Sequence, residues 1–199
     1  GLKSGSYQYQ SFLDYVVEEA SRALGLDDSE ISKLYTSGYR IYTTMDSKAQ
    51  LAIEKIYADD NNFPAGQEDK IVQSAAVVLD PHSGEIRVLI GGRKIQGERL
   101  FNRAVYACRQ PGSALKPVAV YAPALELGYS PATVLDDFPM EYHTPQGPKS
   151  FANVDNRYRG LVSMRTAIQH SINTVAVKML QTIGVSEGFN FAKKLGITT

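Results

Sequence analysis

The period of apolar positions changes several times along the chain, and each change marks an element. "FLDYVVEEASRALGL" (12–26) sets Phe12, Val16 and Ala20, then Ala23 and Leu24, on one helical face. "GLDDSE" (25–30) breaks that pattern, a short helix is predicted to follow as far as Tyr35, and "SGY" (37–39) reads as a turn. "YRIYTTM" (39–45) is β-branched and aromatic and predicts a strand. Asp46 is then a candidate cap for a helix through "SKAQLAIEKIYADD", with Ala49, Ala52, Ile53 and Ile56 on one side. "NNFPAGQED" (61–69) reads as a loop. In "QSAAVVLDPHSGEIRVLIGG" (73–92) two apolar runs flank "DPHSG", which predicts an antiparallel hairpin. "GGRKIQGERLF" (91–101) reads as a loop.

After Pro111-Gly112 the pattern turns helical from 113 to 128. The segment 129–160 is Pro-rich and predicted mostly irregular; loops that long are usually functional or disordered, and its aromatics argue for order. Helical periodicity then resumes in three pieces, 163–170, 173–183 and 186–195, the last two stopped by Gly184 and Gly196. Two strands early and a block of helices late predict an α+β fold.

Composition narrows the function classes. The chain has 199 residues, enough for one domain with a real core, and 21 basic residues balance 21 acidic ones. That balance provides no basic field for nucleic acid. No apolar run approaches the roughly 18 residues that span a bilayer, and no signal peptide is visible. The sequence therefore predicts a soluble chain, with any membrane anchor outside it. Its one cysteine, Cys108, excludes an internal disulfide and a Cys-based zinc site, and is predicted to be a buried, inert thiol. His82, His143 and His170 have no metal-ligand spacing, so neither metal nor cofactor is expected. Asp136-Asp137 reads as a loop or capping pair, and Asn153 and Asp155 as loop architecture with a minor claim to substrate contact.

Candidate chemistry sits in "RQPGSALKP" (109–117). On a helix, Ser113 and Lys116 share a face. Pro117 is tolerable only close to a helix start, which puts Ser113 in or before the first turn, where free N–H groups favour developing negative charge. A serine hydroxyl needs a base, and lysine serves as one when burial or a nearby cation lowers its pKa. One Ser-x-x-Lys is expected by chance in a chain of about this length, so the pair alone is also compatible with a capping serine and a solvated lysine. "HSINT" (170–174) holds the chain's one Ser-x-Asn, Ser171-Ile172-Asn173, between two helical segments. In an extended connection the two side chains point the same way, so Ser171 can relay a proton and Asn173 can bind a substrate amide. A helix break with an Asn cap is the plain alternative.

The order of these motifs is two thirds of the set found in penicillin-binding proteins and class A β-lactamases. With "YRIYTTMDSKAQLAIE", "AAVVLDPHSGEIRVLIGG", "FNRAVYACRQPGSALKP", "LELGYSPATVLDDFP", "NVDNRYRGLVSMRTAIQHSINTVAVKMLQTIGV" and "AKKLGI", residues 39–199 resemble the N-terminal portion of the transpeptidase domain of class A, bifunctional penicillin-binding proteins. Residues 1–38 resemble the linker after the glycosyltransferase domain of that family. The resemblance implies a penicillin-binding-protein/serine β-lactamase-like fold and a serine D,D-transpeptidase. Ser113 would be acylated by peptidoglycan stem peptides and by β-lactams, Lys116 would be the base, and Ser171 and Asn173 the second motif. The backbone N–H of Ser113 would be half of an oxyanion hole. It also implies an extracytoplasmic location, at the membrane through an anchor outside this chain.

The family's third motif, Lys-Thr/Ser-Gly, would follow Thr199, so the chain is expected to be a fragment with an incomplete site and without the last strands of the sheet. A complementing chain or self-association through an exposed edge would follow from that. "KSG" at Lys3-Ser4-Gly5 is on the wrong side of the other motifs and reads as a decoy. Two rival readings remain. One is a β-lactamase-like hydrolase, for which no Glu-x-x-x-Asn follows Ser-x-Asn here. The other is a non-enzymatic, penicillin-sensor-like binding module.

Overall fold

The first helix, α1 (Gln10–Leu24), keeps part of its predicted face: Phe12 is buried and Val16 and Ala20 half-buried, while Ala23 and Leu24 are exposed. The computed structural model describes residues 8–67, 70–94, 100–144 and 147–198. Its two compact units are Gly1–Ala107 and Cys108–Thr199. In the first, α1 is followed by α2 (Ser32–Thr36) and α3 (Ser47–Ala58). Asp46 caps α3 as predicted, accepting from the backbone N–H groups of Lys48 and Ala49. The inner face of α3 is rotated from the predicted one. Ala52 and Ile56 are exposed, and Gln50 is fully buried. The cause is a hydrogen-bond exchange: the Gln50 side chain donates to Leu89 O and accepts from Leu89 N, taking the place of a neighbouring strand.

Leu89 lies on β2 (Ile86–Ile90), which pairs antiparallel with β1 (Ala76–Leu79) in the predicted hairpin. Asp80 shapes its turn by accepting from the N–H groups of His82 and Ser83. Val88, Leu89 and Ile90 are buried, whereas Val77, Val78 and Leu79 of β1 remain exposed. Residues 39–45 do not form the predicted strand. They run beside β2 through a few bonds, Asp46 N to Arg87 O and Thr44 Oγ1 to Ile86 O, but no ladder forms and Tyr39, Ile41 and Tyr42 are exposed. A β-rich composition does not make a strand without a partner edge to pair with. The unit ends with α4 (Arg103–Tyr106).

The second unit opens with Cys108, which is exposed rather than buried. Within this unit it opens a stretch, 108–114, whose residues are all exposed. A 3₁₀ turn (Gly112–Leu115) leads into a wide π-type turn (Pro117–Tyr121) and then α5 (Ala122–Glu126). The wide turn, closed by Ala122 N to Pro117 O, has a covalent reason. Pro123 has no N–H for Ala119 O, and its ring would crowd that carbonyl in a regular α-helix.

The segment 129–160, predicted mostly irregular, holds short strands instead. β3 (Val134–Asp137) pairs with β6 (Gly160–Ser163), and β4 (Glu141–Thr144) with β5 (Gly147–Ser150), all antiparallel. At four residues each, these strands are too short to declare a period of two. Every sheet among the described residues has two strands. Three helices follow, α6 (Met164–Gln169), α7 (Asn173–Ile183) and α8 (Val185–Lys194), close to the predicted spans. Apolar residues between Val162 and Ile183 form the unit's core with Val120, Tyr121 and Ala124, and Ile172, Val175, Ala176 and Met179 are among its buried members. None of the described helices is long and apolar enough to cross a membrane.

Candidate active site

Lys116 sits at four-residue spacing from Val120 and Ala124, both buried, so it shares their side of the helix and is itself half-buried. Its Nζ donates to three oxygens of one short connection: Ser171 O at 2.6 Å, Ser171 Oγ at 3.0 Å and Asn173 Oδ1 at 2.5 Å. Three acceptors match the three N–H bonds of an ammonium ion. Burial acts the other way and pulls the Lys116 pKa below the usual lysine range. The side chain is thus held by acceptors yet biased toward losing its proton.

The connection between α6 and α7 is built to aim those acceptors. Ser171 N bonds to Ile168 O and Ile172 N to Ala167 O, a Schellman closure of α6. Ser171 occupies its left-handed position, with φ of 50°. The same pair of bonds closes the helices before Gly25, Gly128 and Gly196, and there the left-handed residue is glycine. A serine in that position costs on the order of 1 kcal/mol in backbone strain. Ile172, only 1% exposed, anchors the turn in the core against Ala167. With the middle residue buried, Ser171 and Asn173 are both free to face Lys116.

Asn173 is the first residue of α7, not its cap. Its Nδ2 donates to Ala152 O at 2.8 Å, which turns its Oδ1 toward Lys116. Ser113 lies one turn before Lys116 in the 3₁₀ segment, and the Lys116 N–H donates to Ser113 O. The Ser113 hydroxyl is exposed, and no hydrogen bond joins it to Lys116. Three of the four candidate residues therefore meet directly, and the fourth borders them.

Asp137, Asn153 and Thr174, which sequence reasoning left in the background, adjoin this cluster. Asp137, read as part of a loop or cap, is the fully buried end of β3. It accepts from Thr174 Oγ1 at 2.5 Å, Asn153 Nδ2 at 2.7 Å and Arg159 N at 3.0 Å. Asp136 points elsewhere, and its carbonyl accepts from Lys178 Nζ. Asp155 does organise its loop, through Arg157 N and Arg159. His170 is exposed at the end of α6, and no described group of His, Cys, Asp and Glu could hold a metal. The His143 side chain and Lys3-Ser4-Gly5 lie outside the described residues.

A model of the penicillin-binding protein transpeptidase domain matches residues 74–199. The chain belongs to the penicillin-binding protein transpeptidase family. It is 34% identical to Penicillin-binding protein 2a of Streptococcus pneumoniae over 203 residues, covering 98% of this chain and 26% of that protein. Against Penicillin-binding protein 1A of Clostridium perfringens it is 35% identical over 182 residues, covering 84% of this chain and 27% of the relative. The chain thus spans about a quarter of the length of these curated relatives. The solved penicillin-binding protein PonA1 from Mycobacterium tuberculosis superposes with a TM-score of 0.75 at 27% identity, covering 95% of this chain and 46% of that one. PonA1 has also been solved in complex with penicillin V, and that structure superposes equally well, at 26% identity over 95% of this chain and 47% of its own. The mixed helix-and-sheet fold with small sheets is that of these transpeptidase domains.

Proposed function

We propose that this chain carries the nucleophile-bearing part of a serine D,D-transpeptidase that cross-links peptidoglycan stem peptides. The observation that supports the reading most is the convergence of Ser171 and Asn173 on Lys116, one helical turn from Ser113, with a serine where three other helix ends have glycine. Lys116, as the free amine, takes the Ser113 proton. Ser113 Oγ then bonds to the carbonyl carbon of the penultimate D-Ala. Breaking the C–N bond releases terminal D-Ala, whose nitrogen receives the proton through Ser171 Oγ, 3.0 Å from Lys116 Nζ. An amine of a neighbouring strand next attacks the ester, forming the new amide and returning Ser113. The Ser113 backbone N–H contributes half of the oxyanion hole, and Asn173 binds the stem-peptide amide. A β-lactam follows the first half, its ring C–N bond opening as Ser113 is acylated. PonA1, solved with penicillin V, supports that ligand class. The site faces the extracytoplasmic side of the membrane, where peptidoglycan is built.

The hydrogen bonds of Lys116 describe a resting state, because they point to Ser171 and Asn173 and not to Ser113. Substrate entry would exchange one of them for the Ser113 hydroxyl. An acyl-D-Ala-D-Ala peptide supplied with an amine acceptor tests the proposal. Expected are D-Ala release and an amide product, both lost in Ser113→Ala. Release of the free acid alone would favour a hydrolase. Binding without turnover would favour a sensor-like module.

A further inference from the structure

The helix that follows the Ser-x-Asn connection lacks a cap of its own. The residue preceding α7 is Ile172, whose side chain accepts no hydrogen bond and is buried in the core. Uncapped first-turn N–H groups are costly when removed from water, and the usual remedy is a Ser, Thr, Asp or Asn beside them. Ser171 and Asn173 are of that type, but Ser171 Oγ and Asn173 Oδ1 are held by Lys116. The cap comes from twenty residues earlier: Asn153 Oδ1 accepts from Asn173 N at 2.9 Å and from Thr174 N at 3.4 Å.

Asn153 cannot flip. Its Nδ2 donates to Asp137 Oδ1 at 2.7 Å and to Arg157 O at 2.8 Å, so exchanging the amide O and N would set four groups against their own kind. Asp137, fully buried, also grips the first turn of α7 through Thr174 Oγ1. The residue before Asn153 completes the hold, because Ala152 O fixes the Asn173 amide. One short stretch, 152–153, therefore sets both the backbone and the side-chain orientation of Asn173.

We propose that Asn153 is a positioning residue that holds the Ser171–Asn173 turn against Lys116, and that Asp137 locks Asn153 in the orientation this needs. The inference rests on the transpeptidase reading for its kinetic consequences, but not for the cap itself. The consequence follows from the geometry. Without Asn153 Oδ1 the first turn of α7 frays, and the three acceptors around Lys116 Nζ lose their register. Acylation of Ser113 slows although the Asn153 side chain bonds to Asp137, Arg157, Asn173 and Thr174 and not to Ser113 or Lys116.

Asn153→Ala and Asn153→Asp distinguish this from a merely structural role. Asp keeps an acceptor for the two N–H groups but sets a second carboxylate against Asp137. The charged groups around position 153 include Asp137, Arg159 at 3.7 Å from Asp137, Asp155 at 2.6 Å from Arg159, and Lys116 through Asn173. The measurement is acylation by a labelled penicillin, resolved into a binding constant and a first-order step at several pH values. Hydrogen exchange at the Asn173 and Thr174 amides is read on the same samples. In Asn153→Ala, exchange at both amides should rise at least about tenfold. The first-order step should fall about tenfold or more, with the binding constant changed less than about threefold. In Asn153→Asp, the loss relative to the unsubstituted chain at the same pH should shrink as pH falls, because one carboxyl of the new pair takes a proton and becomes a donor again. Unchanged exchange at Asn173 and Thr174 would overturn the proposal. So would an Asn153→Asp deficit that is the same at every pH. If the unsubstituted chain is labelled at a residue other than Ser113, the transpeptidase reading fails, and the exchange data still decide whether Asn153 caps α7.

Discussion

Ser171 separates function from architecture at the scale of one residue. Its left-handed backbone suits glycine, so Ser171→Gly should leave the melting temperature level or slightly raised, while penicillin acylation falls. A large loss of stability in a thermal melt would mean that the hydroxyl serves the fold instead. Lys116 gives a second residue-scale prediction. Burial lowers its pKa, so the base form is reached at lower pH than for an exposed lysine. The acylation rate should rise with pH and level off below the usual lysine range. The sign for stability is the reverse of a favourable ion pair. The buried charge disfavours the fold below the folded pKa, and that penalty lifts as pH rises from the folded toward the unfolded value. A pH–rate profile that is flat across this range would contradict Lys116 as the base. The sequence spacing made Ser113, Lys116, Ser171 and Asn173 legible. It did not separate Asp137 from Asp136, because neighbours on a strand face opposite ways and only the register of β3 shows which one is inside.

At the scale of elements, the helix that carries Lys116 is held by a close backbone approach. A methyl group at Gly188 on α8 would lie 2.3 Å from Ala119 O, the carbonyl that Pro123 leaves without its regular α-helical donor. Gly188→Ala should therefore cost about 1–3 kcal/mol in a denaturant melt, because α8 must move off the wide turn. A change within about 0.5 kcal/mol would mean that the approach is looser than described. In the first unit, Gln50→Ala should cost about 1–3 kcal/mol by leaving both buried backbone groups of Leu89 without partners. Helices were easy to read in this sequence because caps and stop signals agree with the apolar period, as at Asp46 and Gly184. The buried face of α3 was misread because a polar residue, Gln50, faces inward to complete a strand edge, and periodicity counts only apolar positions. The strands from 134 to 163 stayed hidden because each depends on a partner elsewhere in the chain, as far apart as Val134 and Ser163, not on its own four residues.

For the whole molecule, charge balance and ordinary composition gave no basic field for nucleic acid and pointed to no positive function. Function entered through two short motifs whose meaning depended on their coming together, and that meeting is a property of the fold. The core around Ile172 and Met179 brings the Ser113–Lys116 helix to the Ser171–Asn173 turn. The polar network from Asp137 through Asn153 to Asn173 then keeps it there. The central claim is that Ser113 is the acyl nucleophile. Incubating the 199-residue chain with labelled penicillin, reading its intact mass and mapping the adduct by peptide tests that claim most directly. One adduct per chain on Ser113, absent from Ser113→Ala, is the predicted result. An adduct on another residue, or an adduct that persists in Ser113→Ala, would contradict it.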